Sequence, residues 1–416
     1  PLIKLLSEFN LNYSYDPEIA NLKSVYLPFW GVFFHSIFLK IFGFFFFIIL
    51  DFIFIYLILL VFFYIFNVFL SREISIVFSI FIFLIPYLIS TSSLNDIQYL
   101  NLFSKTLYGL RVPRPLVTNL YFFTFLLLTL KLVTSKFHNI KIFFSLGLVT
   151  GLSLSSFYYH FFTESIMLLV ILISKFKINL LVELKKNFKY YLVFILTFLF
   201  FSTPFFLNFY FGEAEFRIRQ CVYDLNLDLK KDLLKYFFGK YFSFKGIIFI
   251  GFISILTLLA NKFIIKDLDK KIINIFYILF LSSLGGPILF ILISPKSCVM
   301  HHFISFIIVN GLLYLIIYSI IFVKSFLRLK YNNSFNYILI FLFISFFSIQ
   351  EFNKMNLKKN DELYSKYREE FNLVTKKIEK NLKINEISLL TFDTDIMVWS
   401  IMKNIKYLDL IMSIFS

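Results

Sequence analysis

Apolar runs of roughly 20 residues, each ended by a short polar or charged connection, follow one another along most of the chain. A helix of about that length crosses a bilayer core of about 30 Å. Read against their charged flanks, the runs predict spans near residues 44–70, 74–90, 118–133, 141–158, 161–174, 190–211, 246–265, 272–293, 300–323 and 335–349. That makes about ten transmembrane helices. Only a short break around Tyr158 parts two of them, so a tilted or re-entrant pair is an open alternative there. Between spans the pattern turns amphipathic. Ile97, Leu100, Phe103, Leu107 and Leu110 recur at near-helical spacing, as do Leu225, Leu229, Leu233 and Phe237, and both sets predict helices lying on the membrane surface. The stretch before residue 43 predicts an interfacial helix feeding the first complete span.

After Ile349 the chain becomes polar. Leu363, Tyr367, Phe371, Val374, Ile378 and Leu382 form a helical stripe, followed by ISLLTF, IMVWSIMKN and IKYLDLI, which read as strand, helix and strand. The expected fold is thus an all-α polytopic membrane protein with interfacial helices on its outer face, plus the start of a small α/β domain. Its regions are 1–43, the transmembrane part 44–349, and an extracytoplasmic tail 350–416.

Composition agrees with the pattern. At 59% hydrophobic and 16% charged over 416 residues, the chain cannot clothe a soluble domain in polar surface. Its 63 Phe and 25 Tyr stand beside few Ala and Gly, which looks like AT-rich coding bias and not a ligand-binding feature. The chain opens on Pro1 and stops at Ser416 within what reads as unfinished structure, so it is expected to be a fragment.

The net charge of +16 is a sidedness signal. One set of short connections is dense in base: Arg72, then Lys131, Lys136 and Lys141, then Lys175 to Lys189, then Lys262 to Lys271, then Lys324, Arg328 and Lys330. The positive-inside rule puts this set in the cytoplasm, and the N-terminal segment, the longer loops and the tail outside. Membrane electrostatics accounts for the charge without nucleic acid.

The spans themselves are almost free of charge, with Asp51 and Glu164 as exceptions. So few intramembrane ionisable groups argue against an ion-coupled carrier. Polar chemistry collects on the outer face. Arg111 and Arg114, set among the prolines of RVPRP, suit either a phosphate or lipid headgroups, and Lys296, His301 and His302 of SPKSCVMHH reach the same side. Adjacent histidines diverge on a helix, so no metal site is expected, and although no cofactor is evident a divalent cation stays open. Asp51 either lines a polar cavity, pairs with Arg111, or is a hydrogen-bonded structural acid. Glu164 reads as a helix-start carboxylate or a site member, and Asp393 with Asp395 as helix caps or ligands. Cys221 and Cys298 fall on the outer side, where a disulfide is open to them. No CxxC, phosphate-binding glycine loop, GxSxG or HExxH is present.

YLPFWGVFFHSIFLKIFG, GLRVPRPLVTNLYFF and LGLVTGLSLSSFYYHFF together resemble the GT-C superfamily of polytopic glycosyltransferases over roughly residues 20 to 165. The resemblance implies a polyprenyl-phosphate-linked sugar as donor, and a glycan, lipid or protein acceptor on the extracytoplasmic face of a bacterial inner membrane. It also implies an essential acid in the first outer loop. Asp16 and Glu18 are the nearest such acids present, the main one being expected upstream of Pro1. The alternative from a different class is a transporter or lipid-linked glycan flippase, for which polar groups in both leaflets and related halves would be expected.

Overall fold

The computed structural model describes residues 29–90, 116–134, 139–211, 226–264, 266–293 and 301–326, with isolated positions at 100, 103 and 107 and in the tail at 366, 369–374, 376, 389–390 and 407–408. Its helices are α1 (Phe29–Phe42), α2 (Phe44–Asn67), α3 (Arg72–Ser90), α4 (Leu116–Thr134), α5 (Ile140–Phe176), α6 (Leu180–Lys186), α7 (Phe188–Phe211), α8 (Leu227–Tyr241), α9 (Phe244–Phe263), α10 (Asp267–Ile293) and α11 (His301–Phe326). In the tail, Leu389–Leu390 (β1) pairs in parallel with Tyr407–Leu408 (β2), within the two segments read as strands. The helix expected between them, and the span at 335–349, lie outside the described residues.

Among the described residues seven helices are long and apolar enough to cross a membrane, against about ten expected over the whole chain. Apart from the span at 335–349, the difference lies in α3, a 19-residue helix outside that set, and in α5. The two spans expected at 141–158 and 161–174 are one helical element with non-helical angles at Phe157 (φ −152°, ψ 79°). The chain folds back there. Ser153 Oγ donates to Glu164 Oε1 at 2.8 Å across 11 residues, which a straight helix would separate by about 16 Å. Contacts with α7 confirm the reversal. Gly147 lies against Phe194 and Gly151 against Phe198, so the first leg runs parallel to α7. Tyr158 meets Phe205 and Phe161 meets Phe198, so the second runs antiparallel.

Small residues make this packing close. A Cβ on Gly147 would strike the carbonyl oxygen of Phe194, and one on Gly151 would lie 2.8 Å from Phe201 Cβ. Lipid tails are as apolar as leucine, so helices in a bilayer gain by close backbone approach, for which Gly spaced four apart is suited. Next to the hairpin, α4 is buried on almost every side, as expected of a helix apolar all round. Its own Phe122, Phe123 and Phe125 are buried in the centre.

The remaining helices alternate in direction. Ser254 meets Tyr277 and Asn261 meets Asn274, making α9 and α10 antiparallel. Phe290 against Phe303, and Asp269 against Lys324, do the same for α10 and α11. The described parts of the basic connections therefore gather at one end. Lys324 reaches Phe69 at the foot of α2, Lys131 lies over Tyr64, Phe143 touches Tyr191, and Lys175 lies within electrostatic reach of Lys271. These basic connections thus share one end of the bundle, while Lys230 of α8 reaches the Leu292 carbonyl at the other end of α10.

Helix α1, the stretch read as feeding the first span, turns back on α2 at Gly43. His35 and Asp51, 16 residues apart, are in contact, where a continuous helix would hold them about 24 Å apart. The reversal uses φ +71° at Gly43, a value that a Cβ disfavours. Its buried face, Gly31, Val32, His35 and Ser36, enters the bundle. Tyr121 of α4 donates to the Trp30 carbonyl at 2.9 Å, and Trp30 Nε1 donates to the Phe201 carbonyl of α7 at 2.7 Å. Pro204 lacks an N–H, so the helical ladder is already broken near that carbonyl, which also accepts from Ser155 Oγ at 3.0 Å.

Candidate functional site

At the end of the bundle opposite the basic connections, α1 and α2 bring together one carboxylate and one imidazole. His35 Nε2 lies 2.6 Å from Asp51 Oδ1. The His35 side chain is wholly enclosed, and its ring stacks on Phe54 at 5.2 Å and 13°. Asp51 keeps 20% of its side-chain surface, and its second oxygen makes no hydrogen bond among the described residues. The aromatic stack and the buried face of α1 hold the imidazole, and the imidazole holds one carboxylate oxygen. A carboxylate fixed in this way can accept a proton or orient a hydroxyl.

A second polar centre lies within the bundle. Glu164 is wholly buried, with Oε1 bound by Ser153 Oγ and Oε2 without a hydrogen bond among the described residues. It lies well inside the second leg of α5, which corrects its reading as a helix-start carboxylate. One turn before it, the ring of His160 packs between Phe122 and Phe306, at 5.1 and 4.1 Å. Asn310 follows Phe306 by one turn of α11, is equally buried, and has neither amide atom hydrogen-bonded among the described residues. Thr163 comes close to α10 where Gly286 leaves space, a Cβ there being 3.0 Å from its hydroxyl.

Of the residues nominated from the sequence, Asp16, Glu18, Arg111, Arg114 and Lys296 lie outside the described residues, as do Cys221, Cys298, Asp393 and Asp395. His301 and His302 open α11, and only their backbone is described. Asp51 is at the site, and its partner in the structure is His35. Sequence reasoning missed His35 in that role, although His35 and Asp51 lie equally far along the chain from Gly43. A glycine reversal between two apolar runs would have paired them. Among the described residues no three His, Cys, Asp or Glu side chains converge as a metal site would require. Compared with models of known protein families, with curated proteins and with solved structures, the chain matches none of them.

Proposed function

We propose that the protein is a membrane glycosyltransferase of the GT-C kind, moving a sugar from a polyprenyl phosphate donor to a glycan, lipid or protein acceptor. The reaction occurs at the end opposite the basic connections, facing the outside of a bacterial inner membrane by the positive-inside rule. The observation that carries the reading is the His35–Asp51 pair, a part-exposed carboxylate braced by a buried imidazole. Asp51 takes the proton of the acceptor hydroxyl as its oxygen attacks the anomeric carbon. The bond from that carbon to the donor phosphate oxygen breaks, and polyprenyl phosphate leaves with the electron pair. Arg111 and Arg114, with Lys296, His301 and His302, are assigned to the donor phosphate, for which guanidinium and imidazolium groups are suited. Asp16 and Glu18 are the acids to compare with Asp51.

The test is transfer of labelled sugar from polyprenyl phosphate donors by the protein in proteoliposomes. Asp51→Asn should lower kcat by about 100-fold with little change in donor KM. Arg111→Gln and Arg114→Gln should raise donor KM instead. Wild-type kinetics in Asp51→Asn would overturn the assignment of the base. The transporter or flippase reading draws on the buried Glu164 and Asn310, because polar groups inside a bundle often mark a solute path. Flux of a lipid-linked glycan without any sugar transfer would decide for it.

A further inference from the structure

At the basic end, α5 does not pass smoothly into α7. The chain leaves α5 through Lys177, the one described non-glycine residue with positive φ (46°), then makes a 3₁₀ turn, Lys177–Asn179, and the short helix α6. A residue with a Cβ rarely adopts such a conformation, so the surrounding fold must hold it. Its effect is to push an apolar edge outward. Ile178 is 94% exposed, Leu181 73%, Val182 65% and Phe188 59%. Interleaved with them are Lys177, Lys185, Lys186 and Lys189, all exposed. Glu183 is the one acid of this segment, and its Oε1 is taken by Asn187 Nδ2 at 2.7 Å. Across the gap stands Lys271, also exposed, close enough to act on Lys175.

Water is a poor environment for four bare apolar side chains, and lysines set among them are placed to gain from anionic headgroups. The edge also adjoins the apolar belt of the bundle. Leu169, Val170 and Ile173 on α5, and Leu192, Ile195 and Leu196 on α7, are exposed just beside it. We propose that residues 177–189 form a foot that lies in the adjoining lipid leaflet and selects anionic phospholipid. Ile178, Leu181, Val182 and Phe188 sit among the upper acyl chains. The lysines reach the phosphates, their aliphatic stems lying along the apolar edge. A soluble phosphate would satisfy the lysines and leave the apolar edge bare, so the occupant is a lipid. This inference is independent of the proposed sugar transfer.

The experiment uses the whole protein purified from mixed phosphatidylcholine and phosphatidylglycerol bilayers, with retained lipids counted by native mass spectrometry. Replacing Lys177, Lys185, Lys186 and Lys189 together by Gln should lower retained phosphatidylglycerol by roughly fivefold or more, while the matching Arg replacement keeps it. Equal retention in the Gln variant, shown monodisperse and helical, overturns the headgroup assignment. In parallel, Leu181→Trp is reconstituted with lipids brominated on the acyl chain. Quenching beyond that of the parent, whose own indoles are Trp30 and Trp399, is expected. No added quenching overturns the insertion of the foot.

Discussion

The two ends of the bundle each hold an acid and a base in contact, and the two pairs are built in opposite ways. At the basic end Asp269 is 1% exposed, and Lys324 Nζ lies 2.9 and 3.1 Å from its two oxygens. The same ammonium binds the Phe69 carbonyl at 2.7 Å, so one charge ties the foot of α2 to the start of α10 and the end of α11. Both oxygens of Asp269 are engaged. At the other end His35 is closed off, while Asp51 is hydrogen-bonded on one oxygen only among the described residues. A buried ion pair is costly to break, and a part-exposed carboxylate held on one oxygen is what the proposed base requires.

The sharpest way to break this contrast is Lys324→Met. It leaves Asp269 buried without its cation and should cost about 3–5 kcal/mol, read as a lower unfolding midpoint in detergent. Adding Asp269→Leu should restore most of the loss, because the desolvated charge is then gone. Asp51→Asn should do the reverse, leaving the midpoint nearly unchanged while transfer falls by about 100-fold. Equal loss of stability in the two single variants would erase the distinction between the ends.

Smaller changes sharpen it. Ser153→Ala removes the donor to Glu164 between the legs of α5 and should cost about 1–2 kcal/mol, measured by thermal unfolding. Gly43→Ala meets no atom within 4 Å, so its cost is conformational only, about 1–3 kcal/mol. It should loosen α1 and lower transfer by severalfold while leaving the midpoint set by the basic end almost unmoved. A midpoint drop as large as that of Lys324→Met would show that the reversal at Gly43 is a pillar of the whole bundle.

What can be read in advance follows from the range of each signal. Spans are legible because hydropathy sums over about twenty neighbours, and the basic connections are legible because charge avoids the bilayer interior. The break at Tyr158 reads as a boundary between spans, and the reversal at Phe157 lies beside it. Contacts between distant residues leave no such trace. Gly43 sits between two apolar runs and looks like an ordinary entry to a span, so the fold-back of α1 and the meeting of His35 with Asp51 stay hidden. Glu164 is visible as an intramembrane acid, but nothing local says that Ser153 faces it across a hairpin. Lys324 lies in a dense basic stretch, where its bond to a buried acid looks no different from the solvated charge of its neighbours.

The bond from Trp30 to the Phe201 carbonyl sets a clock on biosynthesis. Its partners are 171 residues apart, so at about 5–20 residues per second the acceptor is made roughly 10 to 30 s after the donor. Throughout that interval α1 has no seat on α7, and whatever chemistry the His35–Asp51 end performs must wait for a helix that enters the membrane after both legs of α5.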